Sequence, residues 1–89
     1  MLPGTSFIKS SDWQAVEVDD GVVVKDARSD EVHFLNRTAA IVYEMCDGQA
    51  TPAQMARFLE EAFGLKTSAL SDVHACLETL ERKNLIRKV

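Results

Sequence analysis

The chain predicts an α+β fold in which a three-stranded antiparallel sheet is followed by a three-helix bundle. Two observations carry that prediction. Apolar residues alternate with polar ones as far as Leu35, and beyond Asn36 they recur every three or four residues. Turn-forming clusters then divide each half: Asp19-Asp20-Gly21 and Asp26-Ala27-Arg28-Ser29-Asp30 among the strands, Asp47-Gly48 and Gly64 among the helices.

Met1 to Asp12 contains Pro3, Gly4 and Lys9-Ser10-Ser11, with Phe7-Ile8 as its one pair able to pack, so residues 1–12 are expected to be a flexible N-terminal arm. Residues 13–89 then form a single domain. Trp13 to Val18 alternates with Val16 and Val18 on one face, and Asp19-Asp20-Gly21 reverses the chain into Val22-Val23-Val24-Lys25 as a hairpin. After the second polar turn, Glu31 to Leu35 is a third strand with Val32 and Phe34 sharing a face.

Asn36 is placed to cap the first helix, because its side-chain oxygen can accept a free N–H of the first turn. Ala39, Ala40, Val42, Tyr43 and Cys46 form the apolar face behind it, and Asp47-Gly48 is expected to stop the helix, with glycine in the left-handed conformation. Thr51-Pro52 starts a second helix, with proline where its missing N–H costs nothing. Met55, Leu59, Ala62 and Phe63 give that helix its apolar face, Phe58 widens it, and Gly64 ends it. A third helix is expected from Thr67 or Ser68 through Leu70, Val73, Leu77 and Leu80, giving way at Asn84 to Leu85-Ile86. One sticky sheet face and three sticky helix stripes are most economically buried together, which makes the domain winged-helix-like with its hairpin ahead of the helices.

Composition narrows the function. With 89 residues, 46% hydrophobic and 27% charged, the chain suits one small core. No apolar run approaches the ~20 residues needed to span a bilayer, and Met1 to Ser6 lacks the features of a secretory signal, so cytoplasmic residence is the expectation. Cys46 and Cys76, each on the apolar side of a helix, read as buried and inert thiols, and a reducing compartment argues against a disulfide between them. The formal net charge of −4 disfavours nucleic acid unless basic residues segregate into a patch.

Catalysis needs a nucleophile beside a base, or paired carboxylates with tuned pKa values, and no such constellation is present. His33 and His74 have no zinc-type spacing around them, and the glycines form no phosphate-cradling loop. Asp19-Asp20 and Glu60-Glu61 read as solvated charges. Arg82-Lys83 and Arg87-Lys88 form the one basic cluster, which reads as a helix end matched to its dipole. The chain is therefore expected not to be an enzyme and to need no cofactor or metal.

The string Phe34-Leu35-Asn36-Arg37-Thr38-Ala39-Ala40, continued through Ile41 to Asp47-Gly48, resembles the PqqD family of peptide chaperones from pyrroloquinoline quinone biosynthesis, also called RiPP recognition elements. The resemblance runs from about Trp13 to Ile86 and includes Gly21-Val-Val-Val-Lys-Asp26, the Thr51-Pro52 helix start and Leu80-Glu-Arg-Lys-Asn-Leu-Ile86. It implies a non-catalytic adaptor that binds the leader segment of a ribosomally made precursor peptide and presents it to a modifying enzyme, often a radical-SAM protein. In the family the leader adds as a strand, a mode in which backbone hydrogen bonds supply affinity and alternating pockets supply selectivity. Carried onto this chain, the receiving edge is Glu31, Val32, His33, Phe34 and Leu35, and the opposite wall is Leu70, Val73, His74 and Leu77 of the third helix. Arg28 and Lys66 would flank an acidic leader.

Two other readings use the same elements. The helix pair after Thr51 and the basic C-terminus suit a winged-helix DNA-binding protein, but Asp72, Glu78 and Glu81 make the third helix a poor surface for a major groove. An open sheet edge also suits self-association, so an edge-paired dimer is the alternative to a monomer.

Overall fold

Asn36 turns the chain from strand to helix: its Oδ1 accepts the Ala39 N–H at 2.9 Å while its own backbone is still extended. The computed structural model describes residues 6–89. Five strands and three helices occur in the order β1 (Phe7–Lys9), β2 (Trp13–Val18), β3 (Gly21–Asp26), β4 (Val32–Asn36), α1 (Arg37–Glu44), α2 (Pro52–Phe63), α3 (Leu70–Arg82) and β5 (Ile86–Lys88). The expected α+β arrangement is present, with β2-β3-β4 as the antiparallel sheet and the helices following it.

Register assigns the two faces of that sheet. Ala15, Val24 and His33 stand in one row and Glu17, Val22 and Leu35 in the next, all on the side of the helices, where Val22, Val24 and Leu35 are buried. Val16, Val23 and Phe34 form a row on the other face. The pairs Val16/Val18 and Val32/Phe34 each share a face as the alternation predicts, but that face is the outer one. Gly21 begins β3 so close to β4 that a Cβ there would collide with the Leu35 carbonyl oxygen.

Helix ends follow local chemistry. Helix α1 stops at Glu44 with Met45 as its cap, short of the expected stop at Asp47-Gly48. Gly48 is left-handed (φ 88°), and its N–H donates to the Phe7 carbonyl at 2.8 Å, so this glycine shapes the following loop. Cys46 consequently lies past the helix end and not on its face, although it is buried. Thr51 and Gln54 form a reciprocal capping box at α2, and Gly64 (φ 61°) ends it as expected. The buried face of α2 is Pro52, Met55, Ala56 and Leu59; Ala62 and Phe63, in its last turn, and Phe58 are exposed.

Helix α3 begins at Leu70, later than Thr67 or Ser68. Ala69 occupies its cap and offers no side-chain acceptor; instead its N–H donates to Glu60 Oε2 at 2.9 Å, so a carboxylate expected to be merely solvated ties α2 to α3. The other end is a Schellman motif. Asn84 takes a positive φ of 64°, its N–H donates to the Glu81 carbonyl, and the Leu85 N–H reaches back to the Leu80 carbonyl. Leu80 and Leu85 are both buried, as the motif's apolar contact requires.

That turn sends β5 against β1. Phe7 pairs with Lys88 and Lys9 with Ile86, while the other side of β1 is held by Lys9 N–H to the Cys46 carbonyl and by Gly48 N–H to Phe7. The expected N-terminal arm is therefore corrected for Phe7–Lys9, which is a strand with Phe7 in the core; Met1–Thr5 lie outside the described residues. Arg87 and Lys88 lie on β5, so the basic cluster is split between a helix end and a strand. The core lies between the inner sheet face and the helices and centres on Val24, Val42, Tyr43, Met55, Val73, Leu80 and Leu85. Among the described residues no helix is long and apolar enough to cross a membrane.

Candidate functional site

Strand β4 hydrogen-bonds to β3 alone among the described strands, so its second edge carries backbone groups with no sheet partner. Five of the sequence-predicted site residues lie here. Val32 and Phe34 project from the outer face and are 53% and 55% exposed. Leu35 is buried on the inner face, and His33 is half-buried there, tilted against Trp13 at 5.4 Å between ring centroids. Glu31 precedes the strand, and its Oε2 lies 3.1 Å from His33 Nε2.

The turn that delivers β4 is built on Asp26. Its carboxylate accepts the Arg28 N–H at 3.0 Å and the Ser29 hydroxyl at 2.9 Å, and these bonds hold its pKa below the usual value. Asp26 N–H donates to the Glu31 carbonyl, closing the turn just before the edge strand.

The helix half of the expected site is placed differently. Val73 and Leu77 are both buried and belong to the core. Leu70, His74 and Leu77 line a groove of about 680 Å³ with Phe7, Pro52 and Lys88, and no residue of β4 borders that groove. The C-terminal end of α3 instead meets Trp13 of β2 and the turn that precedes β4. Lys83 and Asn84 share a polar hollow of about 320 Å³ with Trp13, Arg28 and Glu31, and Trp13 Nε1 donates to the Asn84 carbonyl at 3.0 Å. Helical spacing puts Asp72, Cys76 and Thr79 on the same flank as Lys83. Trp13 and Lys83 are not among the expected residues, although they share this hollow with Glu31; the signal available in the sequence is that positions 72, 76, 79 and 83 oppose 74 and 78 across the buried stripe.

Of the two flanking cations, Arg28 stands at this hollow with Asp12 at 3.5 Å, whereas Lys66 is exposed on the link between α2 and α3. A further hollow of about 430 Å³ lies under the β2–β3 hairpin, lined by Val18, Ile41, Met45 and Phe58. Neither thiol is poised for chemistry. Burial pushes Cys46 up to about 12 and also raises Cys76, and Cys46 Sγ donates to the Val42 carbonyl. Both cysteines are free. Among the described residues no three His, Cys, Asp or Glu side chains gather where they could hold a metal ion. What the edge offers chemically is a row of backbone donors and acceptors beside apolar side chains, the equipment for pairing with an extended chain.

Comparison with known proteins concerns the chain as a whole. The family model described as Coenzyme PQQ synthesis protein D (PqqD) matches residues 21–86. A solved structure described as lasso peptide synthetase B1 complexed with the leader peptide superposes with a TM-score of 0.77 at 26% identity, covering 92% of this chain and 98% of that one. A second, described as TbiB1 in complex with the TbiA(beta) leader peptide, gives 0.73 at 14% identity over 90% and 94% of the two chains, a likeness that concerns the fold alone. No curated protein matches the chain.

Proposed function

The chain belongs to the PqqD family, and from that membership we propose that it is a non-catalytic adaptor for the leader segment of a ribosomally made precursor peptide. The leader adds as a fourth strand along β4, beside Glu31, Val32, His33, Phe34 and Leu35, and is presented to a modifying enzyme acting in trans. The observation that carries this reading is the unpaired edge of β4, whose outer face carries the half-exposed Val32 and Phe34. The two similar solved structures are both complexes with leader peptides, which supports the same reading. The adaptor works in the cytoplasm, where precursor and enzyme are both made.

The expected helix wall is revised within this proposal. Val73 and Leu77 support the fold from the core, and the contacting flank is Cys76, Thr79 and Lys83 in place of Leu70 and His74.

A backbone amide chemical-shift titration with the leader peptide of the precursor encoded beside the gene tests both parts. Shifts on residues 31–36 together with Cys76, Thr79 and Lys83 are expected. Shifts confined to Leu70, His74 and the Phe7 groove would move the site to the opposite flank of α3, and no shifts on β4 would overturn strand addition.

A further inference from the structure

An antiparallel sheet with one solvated face ordinarily reads polar outward. Here the outward row Val16, Val23, Phe34 is apolar across all three strands, with Val32 and Val18 adjoining it and Lys25 its one charged neighbour. Val16 is 59% exposed, Val32 53% and Phe34 55%. A sheet of three strands and six residues per longer strand presents on the order of 300 Å² on this face, well under the ~800 Å² per partner of a stable protein interface. A second copy packed face to face would therefore not hold.

The row ends at Phe34 only because the sheet ends there. Any strand added at β4 continues it, since neighbouring residues in register point to the same face. Building on the adaptor reading above, we propose that the peptide this chain accepts carries apolar, β-branched or aromatic side chains at two alternate positions that stand beside Val32 and Phe34 on the outer face. Val32 and Phe34 are then specificity-determining residues, acting through side chains on the face away from the helices. A polar residue in the ligand opposite Phe34 leaves the ring half exposed; an apolar one covers it. Each apolar cross-strand pair lost at these two positions weakens strand addition by about threefold, and both together by on the order of tenfold.

The test is a display selection of random 12-residue peptides on the immobilised full chain, run in parallel on Val32→Thr/Phe34→Thr and on Val16→Thr. Threonine keeps strand propensity at these exposed positions, and thermal melts verify that each variant folds. The native chain and Val16→Thr, altered two strands from the edge, are expected to enrich peptides with apolar residues two apart. The double variant is expected to lose that spacing and to bind a native-selected peptide about tenfold more weakly. Indistinguishable enriched sequences on native and double-variant protein would overturn the inference while leaving peptide binding intact. If no peptide is enriched on the native chain, the adaptor reading fails and this inference fails with it. Should the double variant not fold, Phe34→Thr and Phe34→Tyr are compared in the same selection, and equal preference between them and the native chain overturns the proposal.

Discussion

Asp26 and Asp47 each hold a turn with their carboxylates, and this makes the fold sensitive to acid. Asp47 Oδ1 accepts the Gln49 and Ala50 N–H groups at 2.9 and 3.0 Å, as Asp26 accepts Arg28 N–H and the Ser29 hydroxyl, and both groups are lowered from 3.8 chiefly by these bonds. A carboxyl whose folded pKa is depressed contributes stability that is fully present above its unfolded value. That contribution is lost as pH falls through the folded value. Urea midpoints are therefore expected to be level between about pH 7 and 5 and to fall below about pH 4. Asp26→Asn/Asp47→Asn should be less stable at neutral pH with a shallower acid limb; an unchanged limb would assign the acid response to other groups. Cys46 has the opposite sign. Raised by burial from 9.0 to about 12, it contributes stability present below pH 9 that is lost as pH climbs toward 12. At pH 8 a thiol reagent is expected to label Cys76 first and Cys46 only at the rate of unfolding.

The β1–β5 ribbon joins two ends of the described chain that no local pattern connects. A three-residue strand is too short to show a period, and Phe7-Ile8-Lys9 was legible only as two apolar residues in a polar stretch. By contrast β2, β3 and β4 were legible because each is a short run rich in valine or aromatic residues between turn clusters, and α1 and α2 because Asn36 and Thr51-Pro52 are strong caps. The strand that carries the candidate edge was legible for the same reason. On α3, periodicity identifies the buried stripe and leaves its two flanks equivalent; the hollow that Lys83 shares with Trp13 and the groove that His74 shares with Phe7 set them apart. Asn84 is the hinge of this arrangement. Asparagine tolerates its φ of 64°, so Asn84→Gly is expected to fold at least as stably, while Asn84→Val costs about 1–2 kcal/mol because a β-branched residue resists the left-handed region. Phe7→Ala, which empties a buried site under the ribbon, is expected to cost about 3 kcal/mol. Equal urea midpoints for native protein and Phe7→Ala would show that β1 is not part of the cooperative unit.

The described residues span 39 × 33 × 17 Å, a flat two-layer body of sheet over helices with β4 along one rim. An open edge of this kind invites self-pairing, but the strand has only five residues, and short edge strands limit that tendency. The same backbone groups that a copy could use are the ones proposed for the peptide, so binding and self-association compete for one edge. Proline distinguishes the edge from the interior of the sheet. Along a strand, successive N–H groups point alternately toward the neighbouring strand and away from it. Of His33→Pro and Phe34→Pro, one therefore removes a donor to β3 and the other removes a donor on the open side. One variant is expected to lose much of its thermal stability, and the other to melt within a few degrees of the native chain. A bound ligand raises stability by RT ln(1 + [L]/Kd), about 2.7 kcal/mol at a hundredfold excess over Kd. Leader peptide should therefore raise the melting temperature of the native chain but not that of the stable proline variant, whose pairing edge is broken. If the stable variant is stabilised as much as the native chain, the peptide does not pair with β4. The Leu70, His74 and Leu77 groove would then be the surface left to receive it.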